Sequence, residues 1–130
     1  MTPFKFVPHT ADIAVELTAR DEPGLYQAGL DALRTLLVGE SEVVPREERA
    51  IEVGADDPGE RLVRFLSEVL YLYETERFLP ARTLPAGIAG EPFDPSRHAA
   101  LREVKAVTYH GADVRRAPDG ALQATIVFDV

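Results

Sequence analysis

The chain predicts an α+β fold: two helices packed on one face of a mostly antiparallel sheet. Three observations carry that expectation. Segments 22–37 and 58–75 repeat apolar residues at helical spacing. Seven or so other short segments alternate or cluster β-branched and aromatic residues in the manner of strands. Everything after the second helix also reads as strand, where a parallel sheet would have helices and strands alternate. The 130 residues, 45% of them hydrophobic, suit one domain spanning 1–130 with a single core.

Phe4 and Phe6 mark a first short strand, followed by the polar turn Pro8-His9-Thr10-Ala11-Asp12. In 13–18, Ile13, Val15 and Leu17 alternate with Ala14, Glu16 and Thr18, the period of a half-buried strand. Over 22–37 the period changes, with Leu25, Ala28, Ala32 and Leu36 on one stripe. Asp21 is placed to cap this helix, Pro23 sits in its first turn, and Gly39 ends it. Residues 49–53 alternate as a strand and stop at Gly54. The second helix, 58–75, starts behind Asp57, with Glu60 as its capping-box partner. Its apolar face, Leu62, Phe65, Leu66, Val69, Leu72 and Tyr73, belongs at the centre of the core. Strands are expected at 78–84, 88–93, 103–109, 114–116 and 122–130, the last two joined by the turn Ala117-Pro118-Asp119-Gly120.

Composition excludes several classes of protein. The chain has no cysteine, so it has no disulfide framework, thiol nucleophile or thiolate metal site. A net charge of −8 is wrong for gripping nucleic acid directly, which needs a basic face, and suits cation binding or docking on a basic partner. No apolar run approaches the ~20 residues of a membrane span, and 1–12 has no signal-peptide pattern. A soluble, cytoplasmic protein is expected. Phosphate-binding loops, dinucleotide fingerprints, zinc-protease and serine-hydrolase motifs and EF-hand loops are missing.

What remains is a set of scattered polar residues. His9, His98 and His110 lie in loops or at strand ends, and each alone reads most simply as a hydrogen-bonded loop histidine. Asp12 closes a turn, where a small acid commonly satisfies backbone amides. Asp129 is unusual: it is penultimate, on a strand with no other acid, and Val130 adds an α-carboxylate. If the last strand lies beside 13–18, Asp12, Asp129 and Val130 converge at one sheet edge. Two such charges about 4 Å apart repel by roughly 4 kcal/mol at an effective dielectric near 20. A cluster of that kind calls for a cation or a shifted pKa, and all-oxygen donors suit Mg²⁺, Ca²⁺ or Mn²⁺. Only two lysines, Lys5 and Lys105, stand among twelve arginines.

Five segments, in order, resemble the archease family. They are Phe6-Val7-Pro8-His9-Thr10-Ala11-Asp12-Ile13, the helical 66–74, Gly90-Glu91-Pro92-Phe93-Asp94 with His98, Val104-Lys105-Ala106-Val107-Thr108-Tyr109-His110, and Phe128-Asp129-Val130. Phe65 stands where many relatives carry Trp. The resemblance implies an archease-like sandwich and an accessory role. Archeases assist the RtcB-type RNA ligase, which takes GMP from GTP with a divalent metal and joins RNA ends in tRNA splicing and RNA repair. They speed that guanylylation and permit multiple turnover. The resemblance further implies a metal site at Asp12, Asp129 and Val130 and an essential basic residue at Lys105. His9, Asp94 and His98 come over as motif members without a role. The expected partner is therefore the ligase, with RNA met only through it, and the protein itself is expected to be non-catalytic. Two other readings stay open on the residues alone: a stand-alone divalent-metal-dependent phosphohydrolase, and a plain binding module with no metal.

Overall fold

The computed structural model describes residues 3–7, 12–108 and 114–130. Two helices and eight strands are seen among them: β1 Phe4–Val7, β2 Asp12–Ala19, α1 Glu22–Val38, β3 Glu47–Ala50, α2 Pro58–Glu76, β4 Phe78–Leu84, β5 Gly87–Pro92, β6 Ala106–Thr108, β7 Arg115–Arg116 and β8 Leu122–Asp129. The α+β class and the antiparallel pairing are as the sequence predicts. The strands divide, however, into two sheets. One has the order β1-β2-β8-β6, with β7 also on β8; the other has the order β3-β5-β4. The division falls where β5 ends, because residues 93–105 form no ladder and carry the chain across to β6.

The helix starts follow their local chemistry. The Asp21 carboxylate accepts from the Gly24 amide at 2.8 Å, and Asp57 accepts from the Glu60 amide at 2.9 Å. Each satisfies an amide that the first turn leaves without an intrahelical acceptor. The Glu60 carboxylate pairs with Arg64 one turn on, at 2.7 Å. Helix α1 ends at Gly39, which has a positive φ of 61° and donates to the Thr35 carbonyl.

The two helices pack on each other and on the inward faces of both sheets. Leu25, Leu33 and Leu37 of α1 meet Leu62, Leu66 and Val69 of α2 in one buried cluster with Val15, Leu17, Phe78, Ile126 and Phe128. Burying side chains of this size stabilises by roughly 1.5–3 kcal/mol each. Gly29 permits the close approach of the helices, since a Cβ there would stand 2.9 Å from Leu66 Cδ1. Phe65 is buried and stacks on Tyr26 with ring centroids 4.9 Å apart.

Two segments differ from the sequence pattern by more than one residue at an end. The strand expected at 49–53 is a ladder only over Glu47–Ala50, because its partner β5 begins at Gly87, opposite Ala50. Ile51 and Val53 still pack against the core beyond the ladder. The strand expected at 103–109 pairs only over Ala106–Thr108, although Val104 is buried and belongs to the core. Tyr109 lies outside the described residues.

Candidate functional site

The sheet register brings the two suspected acids together. Strand β8 lies antiparallel beside β2, and Asp12 is the direct partner of Asp129. Directly opposed Cα atoms in such a pair are about 4.5–5.5 Å apart, and their side chains share a face. The next pair, Ile13 and Phe128, points into the core. By alternation, Asp12 and Asp129 therefore lie on the face turned away from the helices. Both acids are half-buried, and Val130 follows directly on Asp129, exposed.

Lys105 arrives at the same point by a different route. Its amide donates to the Asp129 carbonyl at 2.8 Å, and the following residue, Ala106, is the ladder partner of Asp129 on the side opposite β2. Asp129 is thus flanked by Asp12 on one side and the start of β6 on the other. The Lys105 side chain is exposed. Three of the residues singled out from the sequence converge here on three different strands or strand ends.

The donor set suits a hard cation but is incomplete. It offers two carboxylates and, at Val130, a further oxygen. No group of three or more His, Cys, Asp or Glu side chains among the described residues is arranged to hold a metal. A divalent ion seated on Asp12 and Asp129 would need further oxygen from Val130, water or a partner.

Asp94 and His98 take their polar partners elsewhere. His98 is buried, and its Nδ1 accepts from the Asp94 amide at 2.9 Å. A neutral ring then carries its proton on Nε2, which donates to Glu91 Oε2 at 3.0 Å. The second oxygen of Glu91 receives Arg46 Nε at 3.0 Å and a short contact from Arg97, while Oε2 also accepts the Val44 amide at 2.8 Å. Burial pushes the Glu91 carboxyl up, but Arg97, the Val44 amide and His98 outweigh it and hold the group at about 2. Asp94 accepts the Ser96 amide at 2.9 Å and its hydroxyl at 2.8 Å, and these bonds lower its pKa. Glu91 escaped notice as a functional acid in the sequence. Its signal was available: a charge inside an otherwise apolar strand, with Arg97 and His98 shortly after it. His9 and His110 lie outside the described residues. No helix among the described residues is long and apolar enough to cross a membrane.

Fold and site together define a small α+β protein in which two sheets enclose a helix pair and an acid pair sits at one sheet end. The comparisons with known proteins make the assignment more specific. The profile of the Archease protein family (MTH1598/TM1083) matches residues 4–130, and the chain belongs to that family. It is 32% identical to the protein archease of Pyrococcus furiosus over the full length of both chains. It is 35% identical to that of Methanopyrus kandleri, over 98% of this chain and 99% of the other. Among solved structures it resembles protein 1598 of Methanobacterium thermoautotrophicum, with a TM-score of 0.81, 26% identity and full coverage of both chains. It shares its fold with a Thermotoga maritima protein described as an archease, possible chaperone: TM-score 0.65, 23% identity, 97% and 96% coverage.

Proposed function

We propose that this protein is a non-catalytic, cytoplasmic activator of an RtcB-type RNA ligase, promoting the ligase's metal-dependent guanylylation by GTP and its multiple turnover in tRNA splicing or RNA repair. The observation that carries the reading is the register of β2 on β8, which sets Asp12 against Asp129 with the Lys105 amide bonded to the Asp129 carbonyl. Membership of the Archease family supports the accessory role.

Two carboxylates with one further oxygen leave a divalent ion such as Ca²⁺, Mg²⁺ or Mn²⁺ short of its usual coordination number. Such a seat suits an ion shared with a partner's own oxygen ligands. A bound cation would supply positive charge at that junction. The chain's own contribution is to hold two acids on adjacent strands, with one lysine tied beside them through its amide on the Asp129 carbonyl. The exposed Lys105 ammonium is then available to a phosphate or to a carboxylate of the partner. A net charge of −8 favours encounter with a basic, RNA-binding enzyme and raises the association rate.

The test is a guanylylation assay on the ligase, with and without this protein. Asp129→Ala should abolish stimulation while leaving the circular dichroism spectrum and melting temperature essentially unchanged, since Asp129 is half-buried at a strand end. Full stimulation by that variant would contradict the proposed role of the acids.

A further inference from the structure

We propose that the buried Glu91–His98 network is a positioning device for Lys105, fixing the irregular crossover that delivers this residue to Asp129. The inference rests on reading Lys105 as the working cation of the site.

Residues 93–105 lie between β5 and β6 and have no ladder to define their path. Individual bonds define it instead. At the start, the Phe93 amide donates to the Arg77 carbonyl at 2.7 Å. A tight turn follows, in which the Arg97 and His98 amides both donate to the Asp94 carbonyl, at 2.9 and 2.7 Å. The Asp94 carboxylate closes the turn over Ser96, and the Asp94 amide is returned to His98 Nδ1. His98 is in turn fixed on Glu91, which belongs to β5.

The same carboxylate governs the loop that the crossover runs against. Glu91 holds the Val44 amide and the Arg46 guanidinium. That loop also supplies the Ser41 hydroxyl, which accepts the Ala99 amide at 3.0 Å. Next, the Leu101 amide donates to the Leu37 carbonyl at the end of α1, at 2.8 Å. From Leu101 the chain reaches the buried Val104 and then the Lys105 amide on Asp129. Four residues span at most about 14 Å when fully extended, so little slack separates these anchors from Lys105.

Simple stability does not account for the choice of residues. A well-packed apolar group in place of a buried ion pair is often as stable or more so. What Glu91 supplies is direction: four partners from two chain segments converge on its two oxygens, so β5 and those segments take one arrangement.

Backbone amide exchange on the full chain tests this, with the Ala117 amide, bonded to the Ala121 carbonyl in the β7–β8 turn, as the reference for local opening away from the network. Asp94→Ala removes both Ser96 bonds from an exposed turn without touching the core. It should speed exchange at Leu101 and Lys105 about fivefold, the equivalent of one net hydrogen bond, with Ala117 unchanged. Asp94→Asn keeps an acceptor oxygen and should restore protection. Glu91→Gln should give a larger effect at the same amides. Uniform acceleration at Ala117 and Lys105 alike, or unchanged protection at Lys105 in both Asp94→Ala and Glu91→Gln, would overturn the inference. In the ligase assay, stimulation should fall with Asp94→Ala and recover with Asp94→Asn. If Lys105→Ala leaves stimulation intact, the functional reading of Lys105 is what fails, and the exchange pattern still decides whether the network positions it.

Discussion

Glu91 is fully buried, yet its charge is well satisfied, with partners on both oxygens. Its carboxyl is held at about 2 against an ordinary 4.5. A depressed folded-state pKa means that the charged form is favoured by folding. The resulting stability is fully present above about pH 4.5 and is lost as the pH falls from there towards 2. The Asp94 carboxyl, lowered by its bonds to Ser96, adds in the same direction. Glu91→Gln should therefore lower stability by about 2–3 kcal/mol at neutral pH, because Arg46, Arg97 and His98 lose a charged acceptor. The same variant should flatten the acid limb of the stability curve. Urea melts of both proteins between pH 2 and 7 check both effects. A parallel offset at every pH would show that the Glu91 charge is not what acid titrates. From the sequence, Asp94 and His98 were visible as a motif, but their joint purpose was not. It depends on a carboxylate that looks like an ordinary strand residue until the fold removes it from water.

At the scale of elements, the β4–β5 hairpin shows how a helix completes a defective sheet. The register of β4 on β5 slips between Pro80 and Arg82, which leaves Ala81 out of the ladder. Pro80 has no amide proton to donate there. Helix α1 makes good the loss. Gln27 Nε2 and Arg34 both donate to the Ala81 carbonyl at 3.2 Å, and Gln27 Oε1 accepts the Thr83 amide at 2.8 Å. Gln27→Ala should cost about 1–2 kcal/mol, more than a typical exposed helix position, since two backbone groups lose a partner. Chemical denaturation of that variant checks the figure, and an effect within experimental error would mean that water replaces the side chain without penalty. Helices were the most legible elements because capping and period act over a few neighbours: Asp21 and Asp57 both cap as their sequence positions suggest. Strand limits were less legible. The span of β3 is set by where β5 begins, and that is a fact about another segment. The crossover 93–105 was beyond local reading for the same reason, as its bonds go to residues 37, 41, 77 and 129.

For the whole molecule, the class of fold followed from two helical periods among many strand-like segments, with strands alone after α2, whereas the division into two sheets did not. Alternation gives the faces of a strand and leaves its neighbours open. The acids illustrate the distinction. Their residue types and the free face of β8 were readable in the chain, but the Asp12–Asp129 pairing exists only because β8 returns from the C-terminal half to lie between β2 and β6. The most direct test of the account is therefore calorimetric titration of Mg²⁺, Ca²⁺ and Mn²⁺ at neutral pH into the wild-type chain and into Asp12→Asn and Asp129→Asn. One divalent ion should bind per wild-type chain, with an affinity weakened by roughly 100-fold in each variant, as expected when one of two charged ligands is neutralised. Undiminished affinity in either variant, or no binding of any of the three ions by the wild type, would contradict it.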